Sequence, residues 1–127
     1  SAPLAEAVAR GLDREFPSAR LTVRRGPGWR RAAVVVRNPG SRTARLSTVT
    51  LRLPAGTAAR AAKSGGTVAG RVVRWPIDAD LAAGARRVLA LDLRILRRGR
   101  AAVAARFTMP DGGGYTARDT KRLSRRG

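Results

Sequence analysis

Residues 87–96, RVLALDLRIL, decide how this chain folds. Leu89, Leu91, Leu93 and Ile95 alternate with Ala90, Asp92 and Arg94. A period of two puts every second side chain on one face of an extended strand, so this segment has an apolar face and a polar one. Gly99 makes a short turn, and 100–109 (RAAVAARFTM) repeats the alternation, with Val103, Ala105, Phe107 and Met109 opposite Ala102, Ala104 and Arg106.

Working back from this centre, 78–86 reads as a loop with Gly84 at its bend. Val73, Trp75 and Ile77 share a face of the strand before it. The stretch 57–70 is rich in Ala, Gly and Ser and reads mostly as loop, with a brief strand near Val68. Pro54-Ala55-Gly56 stops a strand over 44–53 that carries Val49, Leu51 and Leu53 on one side. Asn38-Pro39-Gly40-Ser41 is a tight turn in which Pro fixes φ and Gly permits φ > 0. It follows a strand over 30–38 with Val34 and Val36 on one face. Leu21 and Val23 mark a further strand, broken by Gly26-Pro27-Gly28. Beyond Met109, 111–114 is a glycine turn and 115–117 a last strand or strand extension, with a basic tail expected to be disordered from Arg118 on.

About seven short strands between Gly/Pro turns, with no space for crossover helices, specify an all-β antiparallel sandwich. The opening residues differ. Leu4, Val8 and Leu12 recur every four positions until Phe16-Pro17, which predicts a short amphipathic helix or linker over 1–17. The expected organisation is therefore a helix over 1–17, a sandwich over 18–120 and a disordered basic tail over 121–127.

Composition excludes much chemistry. The 127 residues contain no Cys and no His, so disulfides, thiolate metal sites and Ser-His triads are all ruled out. No apolar run reaches the ~20 residues of a membrane-spanning helix. No signal peptide is visible in the opening residues. Lys and Arg number 27 against 8 acids, a net charge of +19, and all but Lys63 and Lys121 of those cations are Arg. With 24 Ala and no Gln, part of the Arg excess is what GC-rich coding produces by itself.

Four segments in order resemble a bacterial cell-surface repeat family, the domain of unknown function eleven. They are Asn38-Pro39-Gly40-Ser41, Leu53-Pro54-Ala55-Gly56, the strand from Gly70 to Trp75, and Leu81-Ala82-Ala83-Gly84-Ala85 ahead of the Leu-rich strand. The resemblance covers 19–120. It implies an Ig-like module of secreted, wall-attached or adhesin-like proteins, often in tandem and serving as a stalk or spacer. Members are typically Thr- and Asp-rich, and this chain departs from them in its arginines and in showing one copy.

The candidate site residues fall into two groups. Asn38, Gly40, Pro54, Gly56 and Gly84 are read as structural turn residues and Trp75 as a core plug. Trp29, after Gly-Pro-Gly, is either structural or an exposed stacking residue. Arg37, Arg52, Arg74, Arg94 and Arg106 fall on outward strand positions and would attract polyanions such as nucleic acid, acidic glycans or anionic wall polymers. No helix-turn-helix, RNA-binding signature or zinc module accompanies them. Asp78 and Asp80 could contribute to a calcium site, but a solvated turn beside Arg explains them as well. Lys63 in a loop and Lys121 in a tail argue against an internal isopeptide bond. The reading is a noncatalytic module without metal or cofactor, monomeric within a larger chain, extracellular or at the cell surface. Its partner would be a protein or a cell-envelope component, and the alternative function is electrostatic polyanion binding.

Overall fold

The computed structural model describes residues 16–126, and the helix expected before Pro17 lies outside these residues except for Phe16. Nine strands follow in order: β1 Ser18–Val23, β2 Trp29–Arg37, β3 Ala44–Arg52, β4 Thr57–Arg60, β5 Thr67–Ala69, β6 Val72–Leu81, β7 Arg86–Ile95, β8 Gly99–Thr108 and β9 Gly114–Leu123. They form two antiparallel sheets, β1-β2-β7-β4 and β5-β6-β3-β8-β9. This is the antiparallel sandwich that the alternation predicts, of the immunoglobulin-like kind that the resemblance implies, with nine strands in place of about seven. β7 and β8, consecutive in sequence, belong to opposite sheets.

The alternating residues close the core from both sides. Leu89, Leu91, Leu93 and Ile95 are buried beneath the four-stranded sheet, against Val49, Leu51, Val73, Trp75, Val103 and Phe107 from the other. At ~1.5–3 kcal/mol for each large side chain removed from water, this layer supplies the main force holding the sheets together. Trp75 is fully buried, and its Nε1–H donates to the Lys63 carbonyl at 2.8 Å. That bond satisfies the one polar atom the indole carries inside.

Three segments differ from expectation. β6 continues through Leu81, where a loop was expected from Asp78; Asp78 takes φ 51° beside a register shift against β3, which lets the strand go on past the irregularity. A short strand, β4, forms within the 57–70 stretch and pairs with β7. The supposed tail is strand as far as Leu123, because β9 pairs with β8 along its whole length and buries Ala117 and Leu123. Residues 121–123 thus belong to the sandwich.

Along one side β1 runs against β9 where the two sheets meet, and Phe16 stacks on Tyr115 with ring centroids 4.6 Å apart. On the other side the edges are β4 and β5, four and three residues long. Short edges offer little backbone for another chain to pair with.

Candidate functional site

The strand pairings show which outward side chains share a face. On the five-stranded sheet, Arg74 of β6 lies opposite Thr50 of β3, Thr50 opposite Ala104 of β8, and Ala104 opposite Arg118 of β9. In the next row Arg106 sits between Thr48 and Thr116, and in another Arg52 sits between Val72 and Ala102. Arg52, Arg74, Arg106 and Arg118 are all exposed. Strands repeat every ~4.8 Å, so Arg74 and Arg118, three strands apart, stand roughly 14 Å from each other. The result is a sheet face on which guanidinium groups rise from a floor of Thr, Ala and Val72.

Two carboxylates stand at one end of this face. Asp78 and Asp80 both meet Arg45, whose Nη atoms lie 3.8 Å and 3.5 Å from their Oδ1 atoms, and Arg45 Nη2 also donates to the Asp78 carbonyl at 2.7 Å. All three side chains are well exposed, so the pairs contribute little stability. Their effect is to neutralise the acids locally. Both aspartates lie in β6, not in a ligand loop, and among the described residues no third acid gathers with them.

Of the five arginines singled out from sequence, Arg52, Arg74 and Arg106 therefore share one face. Arg37 and Arg94 stand on the other sheet, near opposite ends: Arg37 opposite Ser18 and Arg86, Arg94 opposite Trp29 and Ala58. The middle of that second face is less charged. Val35 lies opposite Val88, and Arg60 is engaged with Asp92 (Nε to Oδ2 3.7 Å) while its guanidinium covers Trp29 at 4.1 Å from the ring centroid. Trp29 is thus occupied by a neighbouring cation and is partly shielded. Arg118 was missed by sequence reasoning, which placed it in a tail. The signal was Tyr115, Ala117 and Leu123 on alternate positions, obscured by Asp119 and Lys121 between them.

The turn residues act at the sandwich ends. Asn38 is 2% exposed, and its Nδ2 donates to the carbonyls of Arg42 and Leu81, each at 2.9 Å. Its Oδ1 accepts from the Gly40 N–H at 3.2 Å, its backbone N–H donates to Ala85 O and its carbonyl accepts from Gly84 N–H. One amide side chain ties the β2–β3 turn to the end of β6. Gly84 has φ +74° and Gly56 φ +87°, the left-handed region that side chains resist. Gly40 differs from expectation: it is absent from the positive-φ glycines and serves through its N–H instead. Pro54 accepts from the Thr57 N–H at 3.2 Å, and its ring lies where a Cβ on Gly99 would fall, 2.5 Å away.

No protein-family model and no curated protein matches this chain. Solved structures do resemble it. A Northeast Structural Genomics Consortium target, SoR45, superposes with TM-score 0.57 at 10% identity, over 85% of this chain and 86% of that one. The Fcho1 Mu homology domain of Danio rerio, solved with a bound Eps15 peptide, gives 0.55 at 13% identity, over 89% of this chain and 44% of that one. BslA, described as a bacterial hydrophobin, gives 0.53 at 17% identity, over 87% and 95%. At such identities the likeness establishes a shared sandwich architecture and nothing about activity. Among the described residues no helix is long and apolar enough to cross a membrane.

Proposed function

We propose that this chain is a noncatalytic β-sandwich interaction module that docks extended polyanions on the outer face of its five-stranded sheet. The observation that carries the reading is the shared exposure of Arg52, Arg74, Arg106 and Arg118 on one sheet face whose two carboxylates meet Arg45. A guanidinium grips a phosphate or sulfate through two parallel N–H donors, which a Lys cannot do. Thr and Ala between the arginines let a polymer backbone approach closely. Neither indole is an open stacking platform on this face, since Trp75 is buried and Trp29 stands on the other sheet beneath Arg60. Recognition is accordingly by charge spacing and not by sequence.

A salt titration with a sulfated glycan or duplex DNA tests this. Binding is expected to persist at physiological ionic strength and to weaken linearly in log–log form as salt rises. Replacing Arg52, Arg74 and Arg106 by Ser should lower the slope by about 2–3, since each lost phosphate contact removes roughly 0.7–0.9. Replacing Arg37 and Arg94 should change it less.

A second reading is a rigid spacer in a secreted or cell-surface bacterial protein, supported by the resemblance and by the way Asn38 and Gly56 tie the NPGS and LPAG turns to the sheets. Under that reading affinity for polyanions vanishes by ~0.15 M salt, where the Debye length is about 8 Å, and is indifferent to which face is altered.

A further inference from the structure

The sheet face does not account for Arg30. Arg30 stands at an inward position of β2, opposite Leu93 and in line with the buried Ala32, Val34 and Val36, and only 5% of it is exposed. An uncompensated charge at such a position is costly. Two backbone carbonyls accept from it: Arg24 O from Nη1 at 3.4 Å, and Ser124 O from Nη2. Its Nε–H is buried without an acceptor. A guanidinium carries five N–H donors, so two carbonyls leave most of its capacity unused. Among the described residues no carboxylate lies within ion-pair distance of it.

The surroundings add charge instead of cancelling it. Arg30 borders a cleft of about 210 Å³ at the end of the sandwich where β1 and β9 stop, walled by Val23 and Ile95 and ringed by Arg25, Lys121 and Arg122. Four cationic residues and no acidic one border it; along β9 Lys121 has the inward parity of Leu123 and Arg122 the outward parity of Arg118, so the charges that count for the cleft are those of Arg25, Arg30 and Lys121. Asp119, two residues before Lys121 in β9, is not part of the wall. Like charges around a concave site repel one another unless something negative is shared between them. A water occupies about 30 Å³ of liquid, so the cleft has room for a tetrahedral oxyanion with part of its hydration shell.

We propose that this cleft binds a single tetrahedral oxyanion, phosphate or sulfate, with Arg30 as the buried anchor and Arg25 and Lys121 at the rim. Because Nε is sealed inside, the ion meets the Nη edge of the guanidinium. The site is independent of the sheet face: it is concave, it stands at one end of the sandwich, and a free ion suffices to fill it.

The test is calorimetric titration of inorganic phosphate into the folded chain, with chloride adjusted to hold ionic strength constant, alongside thermal unfolding in the same buffers. Saturable binding and a rise in Tm beyond that given by chloride are expected. Arg25→Ala combined with Lys121→Ala should weaken phosphate binding at least about tenfold, in line with the strength of charge-assisted hydrogen bonds. Arg74→Ser combined with Arg106→Ser should leave it unchanged, which separates this site from the sheet face. Arg30→Met should abolish it; if that variant does not fold, the rim variant still decides. Displacement of phosphate by a heparin-derived tetrasaccharide would assign the site to an ester group on a chain, and failure to displace would assign it to the free ion; either result supports the site. Phosphate acting no differently from chloride, or binding the rim variant as tightly as the parent, would overturn it.

Discussion

Strand β2 has a buried polar side chain at each end, and the two are provisioned differently. Asn38, just past its last residue, has every polar atom of its side chain engaged. Arg30, near its first, is almost as deeply buried but has two carbonyl acceptors and an orphaned Nε–H. A fully met polar group fixes geometry and asks for nothing further. A charged group left partly unmet raises the energy of the fold, and its retention suggests a ligand from outside. The first end is architecture and the second is the candidate for chemistry.

The largest expected effect breaks the first end. Asn38→Leu removes the partners of two carbonyls and one N–H inside the protein, and should cost about 2–4 kcal/mol in urea unfolding at neutral pH. The next sharpens the contrast by changing backbone alone. Gly84→Ala near Asn38 and Gly28→Ala near Arg30 have φ +74° and +72°, and an added Cβ meets nothing within 4 Å at either site. Each should cost about 1–2 kcal/mol from the left-handed conformation, and the two costs should match. Unequal costs would mean that the ends differ in backbone strain and not in polar pairing. The smallest effect is at the second end. Arg30→Met, measured in buffer free of phosphate and sulfate, should leave stability within about 1 kcal/mol of the parent or raise it, because relief of an uncompensated buried charge offsets the loss of the donor to the Arg24 and Ser124 carbonyls, whose bonds are only part-buried.

How much of this was legible in the sequence depends on how local each feature is. Leu89, Leu91, Leu93 and Ile95 all face the core, since alternation within a strand needs no knowledge of its partners. Leu46 shows the limit: a strict period of two from Val49 would turn it outward, yet it is fully buried, because the register shifts between Leu46 and Thr48. β9 was read only as far as Ala117 because Asp119 and Lys121 interrupt its apolar face, which an edge strand tolerates and a central one would not. The outward direction of Arg52, Arg74 and Arg106 could be read, but not their common face, because sheet membership is set by pairings far apart in the chain. Arg30 has the same parity as Val34 and Val36, so its inward direction was available; its charge, beside a second arginine at position 31, hid it.

The strand order has a consequence for how the chain is made. β3 sits between β6 and β8, and β2 between β1 and β7, so neither central strand finds both neighbours until synthesis has passed well beyond them. Leu51, for instance, waits for Val103. At ordinary ribosomal speed that delay is a few seconds, during which Leu- and Val-bearing segments are presented without cover. The same arginines that dress the finished faces then keep nascent molecules apart by mutual repulsion. A net charge of +19 opposes contact between chains during that interval, and a polyanion added to refolding protein would weaken that opposition.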